Sequence, residues 1–174
     1  LLFFFITVFI NYTPVFGKSD KIEYSRYAIT NYFSGVMFAN QDYSKKAFIH
    51  LNKVQYLKNS HDNFNIQFLR TLVLLGKFEQ AFAFSKNMPF ESRPFFESDL
   101  LSGLDSIINN NYQNAEKHFS RLSKDSKYYF MFEDFLSYAL LSWSKASQNN
   151  IEDSFHYYDK ISRSYGSLKK IQYG

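Results

Sequence analysis

Four histidines, His50, His61, His118 and His156, are the side chains of this chain best suited to acid–base or metal chemistry near neutral pH. A helical metal site needs ligands on one face, and none of the four stands in a His-x-x-x-His or Glu-x-x-His pattern. His118 and His156 lie beside the apolar positions of their helices, where a partly exposed histidine is a packing residue. The adjacent acids Glu133-Asp134 and Glu152-Asp153 fall in or near first turns of helices, and there they complement the macrodipole. Lys45-Lys46 and Lys169-Lys170 are the adjacent basic pairs, too short to track a phosphate backbone, and they read as solvated faces. Nucleophile motifs and glycine-rich phosphate loops are missing, so no catalytic, cofactor-binding or metal-binding residue is assigned.

Composition narrows the classes further. The net charge is +4, with lysine and arginine dispersed among acids, which argues against a nucleic-acid surface. The cysteine count is zero, so this chain has no disulfide, thiolate metal site or cysteine nucleophile. With 21 Phe and 14 Tyr among 174 residues, it is far from the composition of a disordered chain.

Leu1 to Ile10 is apolar and uncharged, and it passes through Pro14 into the polar Lys18-Ser19-Asp20. Ten such residues are short for a membrane span and suit the core of an export signal. Residues 1–17 are therefore expected to be a signal peptide or, if retained, a membrane anchor, and the protein is expected in the periplasm. The lack of an initiating Met predicts truncation at the N-terminus. From there, apolar residues at three- and four-residue spacing predict helices over 21–40, 43–58, 64–75, 78–87, 95–108, 112–122, 128–147 and 151–165. Pro89 and Pro94 bracket one connection between them. The tail from Gly166 offers no capping helix, which predicts a chain that continues past Gly174.

These helices pair, and the pairs recur. Ala47, Ala81 and Ala115 are spaced by 34 residues, and Gly35 and Gly103 each stand twelve before one of them. An aromatic precedes the alanine by three residues at Phe78 and Tyr112, and Phe119 follows further along the second helix. In a fourth unit Ser142 and Ser154 are again small and twelve apart, at an offset of 39 from Ala115. In these features the chain resembles the tetratricopeptide repeat family. The resemblance implies an all-α fold, a right-handed α-solenoid of about four antiparallel helix hairpins, at about 24–58, 60–92, 95–125 and 128–165 within a domain spanning 18–174.

The same resemblance implies a concave groove lined from the first helix of each pair, here Tyr32, Val36, Ile66, Arg70, Leu100, Leu104, Ala139 and Trp143. That surface is apolar with a single guanidinium, which predicts an apolar or helical peptide ligand anchored at an acidic group by Arg70. Trp143, the one tryptophan, reads more simply as inter-repeat packing than as a groove hot spot. The function expected is a non-catalytic scaffold of the cell envelope that binds a protein or peptide and touches a membrane only through Leu1–Ile10. A recognition arm of a larger envelope enzyme and a membrane-anchored assembly factor are the alternatives.

Overall fold

The computed structural model describes residues 24–88, 95–122 and 133–171. The apolar segment Leu1–Ile10, the proline-bracketed connection and the polar loop after Leu122 lie outside the described residues. Every regular element among the described residues is helical: α1 (Arg26–Asn40), α2 (Ser44–Leu51), a 3₁₀ segment (Asn52–Asn59), α3 (Asp62–Leu74), α4 (Phe78–Lys86), α5 (Phe96–Ile108), α6 (Tyr112–Leu122), α7 (Glu133–Ser147), α8 (Ile151–Lys160), a 3₁₀ turn (Arg163–Tyr165) and α9 (Gly166–Ile171). Helices adjacent in sequence pack against each other from α1 through α8, and α3 also touches α1 and α5. The protein is all-α, built from helix hairpins set side by side.

The hairpins share one turn. Asp42, Gly76, Asn110 and Asn149 occupy the left-handed region, with φ of 61°, 67°, 57° and 58°. After each, the next amide donates back to the carbonyl five residues earlier: Tyr43 to Phe38, Lys77 to Leu72, Asn111 to Ser106, and Asn150 to Lys145. This is the Schellman closure of a helix, which needs a glycine or a short polar residue at the left-handed position. The four turns are spaced by 34, 34 and 39 residues, the same series that Ala47, Ala81, Ala115 and Ser154 follow.

The small residues mark where backbones approach. Ala47, Ala81 and Ala115 are fully buried. A Cβ at Gly35 would stand 2.6 Å from Leu51 Cδ2, and one at Gly103 would enter the Phe119 ring, so both glycines admit the side chain sixteen residues later. Ser142 and Ser154 meet directly, with their hydroxyls 3.1 Å apart. Around these contacts lie two principal apolar clusters, one on Leu51, Phe64, Phe68 and Leu72, the other on Ala115, Phe119, Leu140 and Leu141. Burying each large side chain contributes about 1.5–3 kcal/mol, which orders helices too short to be stable alone.

Three expectations change. The helix expected over 43–58 ends at Leu51 and tightens into 3₁₀ geometry, interrupted at Val54 (φ −122°, ψ 27°). Leu51, Val54 and Leu57 are all buried, and a three-residue apolar spacing is held on one face by a winding near three residues per turn. The last long helix stops at Lys160, not Tyr165, because Ile161 turns extended and buries its side chain beside Phe135 and Ala139. Beyond it the tail does form a helix, α9, held to α8 where Tyr158 Oη donates to the Lys169 carbonyl at 3.0 Å.

Candidate functional site

The eight positions expected to line a groove have unequal exposure. Arg70 and Trp143 are exposed, the latter by 50%, while Tyr32, Val36, Ile66, Leu100 and Leu104 are half-buried and Ala139 is only 1% exposed. Leu100 and Leu104 pack on the Phe119 cluster, and Tyr32 lies against the His61 ring at 4.6 Å between centroids. Burial raises the Tyr32 pKa above its ordinary value. Arg70 reaches an acidic group within the fold, since its Nε donates to Glu97 Oε1 at 2.6 Å, tying α3 to α5. Trp143 corrects the packing reading: the neighbours of the helix bury Leu140, Leu141 and Ser144 and leave the indole outward.

Three of the four histidines have local duties, and His156 is exposed on α8 beside Tyr157. His61 Nδ1 accepts from the Phe64 amide and caps α3. His50 Nδ1 is 3.1 Å from Asn31 Oδ1, and its ring stacks on Phe38. His118 Nδ1 is 2.8 Å from Asp99 Oδ1, while Arg121 Nε stands 3.1 Å from Asp99 Oδ2. Asp99, at 4% side-chain exposure, is thus a buried carboxylate facing two cationic or cationisable partners. A buried Asp–His contact can orient an imidazole for proton transfer. Here, though, the pair occupies the same place in its hairpin as Asn31 and His50, and an amide does not hold charge there. The site is a repeated interhelical clasp, and Asp99 escaped sequence reasoning because an acid at a buried helical position looks like any polar residue of the exposed stripe.

Lysines also find partners. Lys145 Nζ lies 2.9 Å from Glu116 Oε2, and Gln148 Nε2 donates to Glu116 Oε1 at 2.6 Å, joining α7 to α6. The hydrogen bond that Lys145 donates to Glu116, only partly opposed by burial, raises the Lys145 pKa. Lys169 is not simply solvated: its ammonium sits 4.3 Å above the Tyr158 ring. Among the described residues no cluster of three or more potential metal ligands occurs, and no helix is long and apolar enough to cross a membrane.

A concavity lies elsewhere than the predicted groove. A cavity of about 380 Å³ opens between the α2–3₁₀ segment and α4. Phe48, Phe68, Leu72 and Phe84 form its apolar surface, with Phe48 and Phe68 stacked at 6.1 Å and Phe68 and Phe84 edge-to-face at 5.0 Å. Asn52, Gln55, Gln80 and Asn87 supply amides around it, and Lys58 supplies an ammonium. Sequence periodicity shows these phenylalanines as core and cannot show that α2 and α4 part above them. Comparison with family models, with curated proteins and with solved structures found no match for this chain.

Proposed function

We propose that the chain is a non-catalytic, tetratricopeptide-like α-solenoid scaffold of the cell envelope that holds a peptide or a segment of a partner protein. The observation that supports this reading is the fourfold recurrence of one hairpin turn at 34, 34 and 39 residues, together with buried alanines that follow the first two of those offsets. Repeated hairpins present a continuous surface along their length, and such surfaces serve recognition. The recurrence also accounts for the most enzyme-like feature, since the Asp99–His118 contact repeats the Asn31–His50 contact. Export rests on Leu1–Ile10 and its polar flank. Trp143 and Arg70 remain the exposed members of the predicted groove, and the first of them has no ion-pair duty to satisfy.

Selection of random peptides displayed on phage against the folded, immobilised chain tests the reading. Enriched peptides that bind the free protein in solution at micromolar or better Kd are expected. A selection that enriches no peptide binding the folded chain would overturn it.

A further inference from the structure

The cavity between α2 and α4 has a composition that specifies more than peptide binding in general. Its floor is aromatic, with Phe48 half-buried and Phe68 and Phe84 nearly covered beneath it at 2% and 8% exposure, so Phe48 makes most of the apolar contact it offers to a side chain. A volume of about 380 Å³ falls within the range of sites that enclose a ligand group of that kind. Primary amides stand on both walls, Asn52 and Gln55 on one and Gln80 and Asn87 on the other. Gln55 Nε2 donates to Asn52 Oδ1 and Asn87 Nδ2 to the Ala83 carbonyl, and the remaining amide donors and acceptors suit the N–H and C=O groups flanking an inserted side chain.

Charge around the cavity is one-sided. The two walls, 43–59 and 77–87, contain six lysines, Lys45, Lys46, Lys53, Lys58, Lys77 and Lys86, against one carboxylate, Glu79. Lys58 lines the cavity, and Lys77 Nζ sits 5.0 Å above the Phe48 ring at its edge. Lys86 Nζ meets Asp105 within the fold at 2.6 Å. An ammonium over a ring keeps its full charge, so Lys58 and Lys77 place positive charge at this surface.

We infer that this cavity binds an acidic peptide segment through one apolar side chain seated against Phe48 above the Phe68–Phe84 floor, with flanking carboxylates facing Lys58 and Lys77. This rests on the scaffold reading and places its contact between the second helices of the first two hairpins, over Phe68 and Leu72 of α3, away from Arg70 and Trp143. Lysines at the rim set the approach and the salt dependence, while the aromatic contact sets the residence time.

The peptides enriched on the full chain provide the test. They are expected to combine Asp or Glu with a Phe, Trp or Leu, to lose at least about tenfold in affinity when that apolar residue becomes Ala, and to weaken by about tenfold between low and high salt. Ala83 is exposed on α4 and lines the cavity, so Ala83→Phe fills the site with the fold intact, as circular dichroism checks. That variant is expected to reduce binding at least about tenfold, and Lys58→Glu with Lys77→Glu to do so at low salt only. Enriched peptides that are basic or uncharged, that bind Ala83→Phe as they bind the parent, or that are displaced by a simple anionic amphiphile alone without any peptide preference would overturn the inference and leave the scaffold reading standing. Failure to enrich any peptide would sink both.

Discussion

Asp99 and His118 stand nineteen residues apart in the chain and 2.8 Å apart in space, and Asn31 and His50, two hairpins earlier, repeat the separation in sequence at 3.1 Å. One position in the first helix and one in the second thus form an interhelical clasp, with an amide on the first side in one hairpin and a carboxyl group in the other. The difference sets how much each contributes. Removing a carboxylate buried against His118 and Arg121 takes a charge-assisted contact from each of them, whereas removing the amide takes a neutral one.

Asp99→Ala is accordingly expected to destabilise the chain by about 3–5 kcal/mol, and Asn31→Ala by about 1 kcal/mol. Asp99→Asn, which keeps the hydrogen-bonding shape, is expected to fall between them. Urea denaturation followed by circular dichroism measures all three, and equal losses at Asp99 and Asn31 would contradict the assignment.

Gly103 and Gly76 are glycines for different reasons, and substitution separates them. At Gly103 a Cβ collides with the fully buried Phe119 ring, so Gly103→Ala is expected to cost about 1–3 kcal/mol despite the better helix propensity of alanine. At Gly76 nothing lies within 4 Å, and only the φ of 67° resists a side chain. Asn110 and Asn149 hold the equivalent turns, so Gly76→Asn is expected to be nearly neutral and Gly76→Val clearly destabilising. Thermal melts of the three variants check the order.

The Lys145–Glu116 contact has a pH signature. Because Lys145 is raised above its ordinary value of 10.5 in the folded chain, its contribution is complete below the unfolded pKa and is lost as pH climbs through the folded one. The difference in urea midpoint between the parent and Lys145→Met is expected to stay constant from about pH 7 to about pH 9 and to shrink above about pH 10.5, where the ammonium deprotonates. A difference that shrinks on acidification instead would show that another group is responsible.

Trp143 reports its own surroundings. With the indole half exposed, its emission is expected near that of indole in water and readily quenched by acrylamide, and Trp143→Phe is expected to change stability by less than about 0.5 kcal/mol. A blue-shifted, protected emission would restore the packing assignment.

If the hairpins are modular, inserting a second copy of residues 60–93 preserves the 34-residue register. The longer chain is expected to keep its helicity per residue and to unfold at a higher urea midpoint, since each hairpin buries surface on its neighbours. A loss of helicity, read by circular dichroism, would indicate a core that the hairpins share irregularly.

Much of this was legible in the linear chain. The alanines at 47, 81 and 115 specify fully buried helix contacts, and the polar breaks at Asp42, Gly76, Asn110 and Asn149 specify turns, because both demands are local and depend on residue size or backbone freedom. Even the irregular fourth unit obeyed, with Ser142 against Ser154. Tertiary structure decided what local demands leave open. Whether Asp99 is solvated or buried depends on His118 and Arg121 arriving from another helix, and whether Trp143 packs depends on which way α7 is rotated against α6 and α8. The cavity over Phe48, Phe68 and Phe84 is a gap between helices, and a gap has no residue of its own in the sequence.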